Sequence, residues 1–406
     1  MSEHNHARPL SRYKVLDLTM HISGPMCTRT MAENGAEVVK VEPPGGDNSR
    51  HVPVIKDGRS GYFVGLNRGK KSLCLDLKTP AGLEIVKRML PKFDVLIENF
   101  APGVIGRLGL GYDTVRSINP AIVMCSISTF GQSGPLAPKT GYDYIAASYA
   151  GVINTLGFPD SSPVLPGISM GDSMTAMNAY GAILTALLHR EHSGQGQHLD
   201  ICLLDSYFQC WDLAVQSVSL NPQGFKITRN GRFSNSMPPI GLFKSERHYI
   251  CVMAPHDHFW PRLCRAIGRE DLVDDQRFTT VAARYRNAGE IFQLLDEWFA
   301  ATPEDEALRR LDENRVPAGP VLSVAEAMAH PHLRQRGTVR KVRDRILGEF
   351  ELQRSALRFS AFPDELPLEA PFLGEHNAEV LRQYLGYSDS QIRELETAGI
   401  LQRAPH

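Results

Sequence analysis

An α/β fold is predicted for the larger part of this chain: a mostly parallel sheet covered by helices on both faces, followed by a smaller, more helical domain. Three observations predict it. Strand-like apolar runs alternate with amphipathic helical runs between residues 14 and 128. Their junctions carry start and stop signals, such as Gly24-Pro25 at a helix start and Gly35 at its end. The texture then changes over 221–239 to Gly, Pro, Asn, Ser and Arg, which reads as a linker or mobile loop.

In chain order, 14–19 is a strand, Gly24-Pro25 opens a helix to Asn34, and 37–42 is a second strand. This is one βαβ unit. Its acidic end, Glu42, lies about twenty residues after the turn, where dinucleotide folds place a ribose-binding carboxylate. The G-x-G-x-x-G fingerprint is missing, which argues against a nicotinamide or flavin dinucleotide. Strands at 72–76, 95–99 and 122–128 follow, with helices at 80–90 and 104–108. Ligands of such sheets lie at the carboxyl ends of the strands, which puts Asn99, Phe100 and the loop after Ser128 forward. That loop holds Gly131 to Pro135 and Lys139 to Asp143, ahead of a helix through Ala150.

A helix is predicted over 176–190, with Met177, Tyr180, Ile183, Leu184, Leu187 and Leu188 as its apolar stripe. Asp172 sits at or just before its start, where the dipole favours a charged carboxylate, so it should stay ionised at neutral pH. An ionised carboxylate on a rigid helix can attack a thioester carbonyl, or simply cap the helix. Residues 193–197 look like a phosphate cradle but follow a helix, so they read as a C-cap into a strand at 198–202. A long apolar helix is expected at 203–218.

Beyond the linker, 249–254 is a strand, and 256–267, 288–300 and 303–314 are helices. His256-x-His258 has no Cys and no ordered acidic partner, too little for a metal site. The basic run from Arg334 to Arg345 reads as a solvated face or interface rim. Residues 363–371 form an extended Pro-rich segment, and helices are expected at 377–385 and 389–398. The domain boundaries that result are a large domain at 1–220 with 331–406 returning to it, a linker at 221–240, and a small domain at 241–330.

The 406 residues carry a net charge of −1, which gives no global pull toward nucleic acid or an anionic membrane. Seven dispersed cysteines, mostly in apolar runs, read as reduced core residues. No secretory or membrane-spanning segment is apparent. The expectation is a soluble, cytoplasmic protein.

Several segments together resemble one family. They are Val15 to Thr19, Gly24-Pro25, Gly35 to Pro43, Leu75 to Lys78, Glu98 to Gly103, Gly141-Tyr142-Asp143 and Gly171-Asp172. Their order and spacing are similar to the class III coenzyme A transferases, the family of formyl-CoA transferase and carnitine CoA-transferase, which also holds alpha-methylacyl-CoA racemase. The resemblance implies a Rossmann-like large domain and a smaller α+β domain, in a homodimer whose chains interlock. It implies a site where one subunit's large domain meets the other's small domain. It places Asp172 on the catalytic aspartate. It places Ile22, Ser23, Leu75, Asp76, Leu77, Lys78, Asn99, Phe100, Ala101, Arg107, Thr140, Gly141, Tyr142 and Asp143 where members hold CoA. Lys78, Arg107 and Lys139 have the charge to meet its phosphates. The implied partners are an acyl-CoA, a carboxylic acid and a second copy of the chain, with no metal and no permanently bound cofactor.

The implied chemistry is CoA transfer through an aspartyl mixed anhydride and an aspartyl-CoA thioester, with succinyl-CoA or another small dicarboxylyl-CoA as donor. His21, Arg50, His51 and Arg232 are candidate contacts for the substrate carboxylate. The chain departs from formyl-CoA transferase at three places. The glycine run that closes over the aspartate there is replaced by Arg232 to Pro239, Ile22 stands in place of a glutamine, and Pro43 in place of an arginine. An acyl-CoA racemase of the same fold is the alternative, but the histidine that partners its aspartate is Tyr142 here, a poor base at pH 7. A non-catalytic CoA-binding protein is a further alternative.

Overall fold

The structure is a computed structural model that describes residues 8–224, 227–234, 237–362, 366 and 368–404. Of the segments singled out above, 1–7, Phe225, Lys226, Asn235, Ser236, Pro363 to Glu365, Pro367 and 405–406 lie outside the described residues. The chain divides into two compact units, one of 1–152, 166–220 and 337–406, the other of 153–165 and 221–336.

Six strands form the sheet of the first unit: β1 (Lys14–Asp17), β2 (Glu37–Glu42), β3 (Lys70–Cys74), β4 (Val95–Glu98), β5 (Val123–Ser128) and β6 (His198–Cys202). They lie in the order β3-β2-β1-β4-β5-β6, and every neighbouring pair is parallel. The order reverses between β1 and β4, and a crevice outside the carboxyl ends opens at such a reversal. β4 and β5 are buried throughout, so apolar residues dominate them, with Glu98, Ser126 and Ser128 as their buried polar members.

The helices are set by local signals. α1 (Ser23–Glu33) starts at Ser23-Gly24-Pro25, and a Cβ on Gly24 would lie 2.2 Å from Thr19 Cβ, so only glycine lets α1 close on the end of β1. α2 (Gly61–Asn67) is capped by Ser60. α3 (Pro80–Met89) has Thr79 accepting from Gly82 N–H at 3.0 Å and Pro80 in its first turn. α4 (Val104–Arg107), α5 (Tyr112–Ile118) and α6 (Asp143–Tyr149) are short. α7 (Met170–Ser193) is the longest helix described and stops at Gly194, whose φ is +67°. α7 packs along α1.

One core of this unit joins Leu16, Val39, Leu73, Leu96 and Met124 of the sheet to Ile85, Val86 and Met89 of α3. The same core takes in Val380, Leu381 and Ile392 of the C-terminal helices Asn377–Leu385 and Asp389–Thr397. Asn377 ties that segment to β3 by accepting from Cys74 N–H at 2.8 Å.

Two local expectations fail. The helix expected at 203–218 is two helices, α8 (Leu203–Phe208) and α9 (Ala214–Leu220). Trp211 lies between them and donates its indole N–H to Ala150 O at 2.8 Å, a tie that the apolar pattern does not encode. The basic run is not a solvated face throughout: Val339–Asp344 pairs with Gly348–Gln353 as a hairpin, and Arg340 reaches Glu33 at 3.5 Å. α2, α5 and this hairpin have no counterpart in the sequence reading, being too short or too polar to show a period.

In the second unit β7 (Ile240–Lys244), β8 (Tyr249–Met253) and β9 (Ala318–Pro320) form an antiparallel sheet. α10 (Trp260–Ile267), α11 (Val281–Arg286), α12 (Ala288–Ala301) and α13 (Glu304–Glu313) accompany it. Phe243, Ile250, Trp260, Leu295, Phe299 and Leu311 are its core, with the Trp260 indole donating to Leu272 O at 2.9 Å. The 153–165 segment, read above as part of the large domain, belongs to this unit. The end of the expected linker is structured here as well, since Phe233 bridges to Gly241 and β7 begins at Ile240. Among the described residues no helix is long and apolar enough to cross a membrane, and no group of three or more His, Cys, Asp or Glu could hold a metal ion.

Candidate active site

Asp172 lies in the first turn of α7 as its third residue, because the helix starts at Met170, six residues before the predicted start at 176. Ser169 at the N-cap makes no side-chain cap. The cap comes from α6 instead: Asp143 Oδ2 accepts the Asp172 N–H at 2.8 Å, and Asp143 Oδ1 accepts the Tyr207 hydroxyl at 2.7 Å. Gly171 permits this approach, because a Cβ there would lie 2.2 Å from Tyr207 Cε2. The backbone beside Asp172 is therefore pinned by groups from two other helices.

The Asp172 carboxylate is half-buried and, among the described residues, has no cation paired with it. Burial raises its pKa, the charge of Asp143 raises it further, and the Ser23 hydroxyl and N–H facing it pull the other way. The result is a value of about 6. The expectation that the helix dipole would hold it low is corrected: desolvation and a like charge outweigh the dipole, although at pH 7 the group is still mostly ionised. Tyr62 on α2 is within electrostatic reach, and burial, Asp172 and Asp47 together push its phenol up to about 12.

Around this carboxylate the structure gathers part of the predicted set. Ser23 is buried at the start of α1. Ile22 precedes it, and His21, held at φ +68°, meets Tyr142 edge-on with ring centroids 6.0 Å apart. Asn99 spans the β1–β4 reversal: its Oδ1 accepts from Met20 N–H at 2.8 Å and its Nδ2 donates to Met20 O at 2.7 Å. Its side chain shapes the loop before Ser23 and has little left for a ligand. Phe100 packs against the core, and Ala101 is exposed. Arg107, Lys78, Lys139 and Thr140 are exposed, with Lys139 Nζ 5.6 Å from the Tyr149 ring centre. Gly141 O accepts the Thr129 hydroxyl at 2.6 Å, and Tyr142 is 67% exposed.

At the end of β3, Leu75 is buried and bridged to Leu401, so a ligand can meet only its backbone. Leu77 packs partly on the core, and Asp76 turns the chain by accepting from Lys78 N–H at 2.9 Å.

Two of the substrate-carboxylate candidates are already occupied. Arg50 is bidentate to Glu42, with both contacts at 2.7 Å, and stacks 3.7 Å from the Phe63 ring centre. Arg232 is bidentate to Asp296 at 3.0 and 3.1 Å within the second unit. His51 is exposed and His21 half-buried. Glu42 also accepts the Ser72 hydroxyl at 2.7 Å, which leaves no free carboxylate for a ribose. Tyr62, Tyr207 and the pinning role of Asp143 were not read from the sequence. No local pattern marks a residue whose partner lies on another helix.

The fold is of the open parallel α/β class that binds ligands at the carboxyl ends of its strands, and it places at a helix start a carboxylate with no cation partner among the described residues. The chain matches the family described as CoA-transferase family III over residues 10–377. It is 33% identical over 402 residues to human succinyl-CoA:glutarate CoA-transferase, covering 98% of this chain and 91% of that protein. It is 34% identical over 404 residues to succinyl-CoA--D-citramalate CoA-transferase of Chloroflexus aurantiacus, covering 99% and 100%. A solved structure, a CAIB/BAIF family protein from Brucella suis, superposes with a TM-score of 0.80 at 31% identity over 93% of this chain and 99% of that one. This chain belongs to CoA-transferase family III; it is a transferase that works on CoA thioesters and carboxylic acids.

Proposed function

We propose that this enzyme moves CoA from succinyl-CoA, or another small dicarboxylyl-CoA, to a second carboxylic acid, with Asp172 as the nucleophile. The observation that carries the assignment is the Asp172 carboxylate itself, cation-free and with its backbone N–H fixed by Asp143. A carboxylate neutralised by a cation would be a weaker attacking group. The donor class is supported by the two relatives, both named for succinyl-CoA.

A carboxylate oxygen of Asp172 adds to the thioester carbonyl, the C–S bond breaks, and CoA leaves as thiolate with the acyl group held as a mixed anhydride. The thiolate attacks the aspartyl carbonyl, releases the donor acid and leaves an aspartyl-CoA thioester. The incoming acid repeats the sequence in reverse: its carboxylate displaces the thiolate to form a second anhydride, and the thiolate takes the new acyl group. Asp172 returns as a free carboxylate. The Ser23 N–H and the positive end of α1 face this centre and favour the oxyanion of each addition.

Lys78, Arg107 and Lys139 meet the CoA phosphates, and the loops at Ile22–Ser23, 75–78, 99–101 and 140–143 line the rest of the carrier. Water must be excluded, because an acyl anhydride hydrolyses readily. An interlocked pair of chains in the cytoplasm answers that need. Its support is the set of exposed apolar side chains on one unit, including Tyr149, Leu188, Phe208 and Leu220.

The test is an incubation of the enzyme with succinyl-CoA, other acyl-CoA donors and a panel of mono- and dicarboxylic acids, read by mass spectrometry for new thioesters. Asp172→Ala should lower the transfer rate by on the order of 10³-fold or more. Transfer that persists in Asp172→Ala overturns the assignment.

A further inference from the structure

A second cation-free carboxyl lies at the end of β4. Glu98 is 1% exposed, and among the described residues no ion pair joins it to a cation. Its Oε2 accepts the Phe100 N–H at 2.8 Å, so the side chain folds forward and holds the loop of Asn99, Phe100 and Ala101 by its own backbone. Glu98, Ser126 and Asp200 stand in register on three adjacent strands, and side chains in such a row share one face of the sheet. Ser126 Oγ lies 3.0 Å from His198 Nε2, and the exposed His198 ring is stacked by Tyr112 at 5.2 Å.

Ser126 has one proton to donate. When Glu98 is charged, the hydroxyl serves the carboxylate and His198 presents Nε2–H. When Glu98 is protonated, it donates to Ser126, the hydroxyl turns to His198 Nε2, and the imidazole, its Nε2 proton passed inward, carries a proton taken from solvent at Nδ1. The chain from carboxyl to serine to histidine thus carries a proton between the buried end of β4 and the surface.

The groups facing Glu98 are Ser126 of β5, Asp200 of β6 and the Phe100 N–H of its own loop, while Cys125, on the opposite face of β5, feels its charge. Burial raises its pKa and Asp200 adds to this. Ser126 and the Phe100 N–H lower it, and it stands at about 7.

We propose that Glu98 is a positioning residue for the loop of Asn99 to Ala101: its charged carboxylate tightens the loop on CoA, and proton uptake through Ser126 and His198 loosens it. This rests on the reading of that loop as part of the CoA site. A bond from an N–H to a charged oxygen is about twice as strong as one to a neutral oxygen, so the loop is held less firmly below neutral pH.

The experiment is calorimetric titration of free CoA into the enzyme from pH 6 to pH 8. Wild type should bind about fivefold more tightly than Glu98→Gln at pH 8 and equally at pH 6, with the crossover near 7. The CoA phosphates titrate alike in both proteins, so the ratio of the two affinities removes them. Ser126→Ala takes away a group that favours the charged form, and should move the crossover to higher pH. A purely structural role for these side chains would not shift it. An affinity ratio that stays constant across this range overturns the inference. If Lys78→Ala and Arg107→Ala leave CoA affinity unchanged, it is the CoA-site reading that fails instead.

Discussion

Five buried or half-buried carboxylates of the first unit fall into two groups that behave in opposite ways. Asp17, Glu42 and Asp47 surround the ends of β1 and β2 and are paired with cations: Asp17 with Lys70 at 3.0 Å, Asp47 with Lys40 at 2.9 Å, Glu42 with Arg50 at 2.7 Å. Asp172 and Glu98 have none among the described residues. Burial pushes all five pKa values up. In the first group the cations win, holding Asp17 at about 2 and Glu42 and Asp47 below the ordinary carboxylate range. In the second group burial wins, with values of about 6 and 7. Depth alone does not decide what a carboxylate does; the presence of a neighbouring cation does. The first group fixes the β1 and β2 ends as scaffold, and the second keeps carboxylates available for chemistry.

Removing a cation from the scaffold group tests the comparison most severely. Lys70→Met leaves Asp17 buried with its shortest ion pair gone, and should cost about 3 kcal/mol in denaturant unfolding at pH 7. The depressed pKa of Asp17 gives stability that is present above its unfolded value of about 3.9 and lost as pH falls through about 2. In Lys70→Met that acid-side loss should shrink, because nothing of equal strength holds the carboxylate charged. A cost under about 1 kcal/mol would show that Lys40 alone compensates Asp17 and would dissolve the contrast.

Sequence reading separates these groups only in part. The strands were legible because each of β1, β2, β4 and β5 carries a buried apolar stretch, such as Val15-Leu16, Val38-Val39 and Val95 to Ile97. Asp172 was legible because Gly171 and an apolar stripe announce a helix start. The commitments of the charged residues were not. Arg50 and Arg232 look alike as free guanidiniums on polar loops, and only the fold brings Glu42 and Asp296 to them. Asn99 was singled out as a ligand contact, yet its amide is closed on Met20, 79 positions away in the chain. Glu98 sat inside a recognised motif without attracting a role, because its lack of a cation is a property of β5 and β6, which come later in the chain. Pairing across a sheet is long-range information, and periodicity is local.

The second test moves the cation-free group in the other direction. Glu98→Gln removes the charge that burial disfavours. The raised pKa of Glu98 means that its contribution to stability is full below about 4.5 and is lost as pH rises through about 7. At pH 8 the variant should therefore unfold at higher denaturant than wild type, by up to about 3 kcal/mol, with the difference closing by pH 5. Lower affinity for CoA together with higher stability at pH 8 is the combination expected of a group kept for function.

The finest distinction is between burial and like charge as causes of the Asp172 shift, and Asp143→Asn separates them. Asparagine keeps the geometry: its carbonyl oxygen can accept the Asp172 N–H, and its amide can donate to Tyr207, whose hydroxyl turns to accept. Only the negative charge is lost. Because Asp143 raises the Asp172 pKa, removing it should move the acid limb of the kcat/KM profile down from about 6 by about one unit. Burial would still hold the value above that of a solvated aspartate. A lower rate at every pH with the limb unmoved would mean that Asp143 acts on Asp172 through the backbone bond alone. A limb that falls all the way to the ordinary value would mean that desolvation contributes nothing, which the buried, cation-free setting of the carboxylate does not allow.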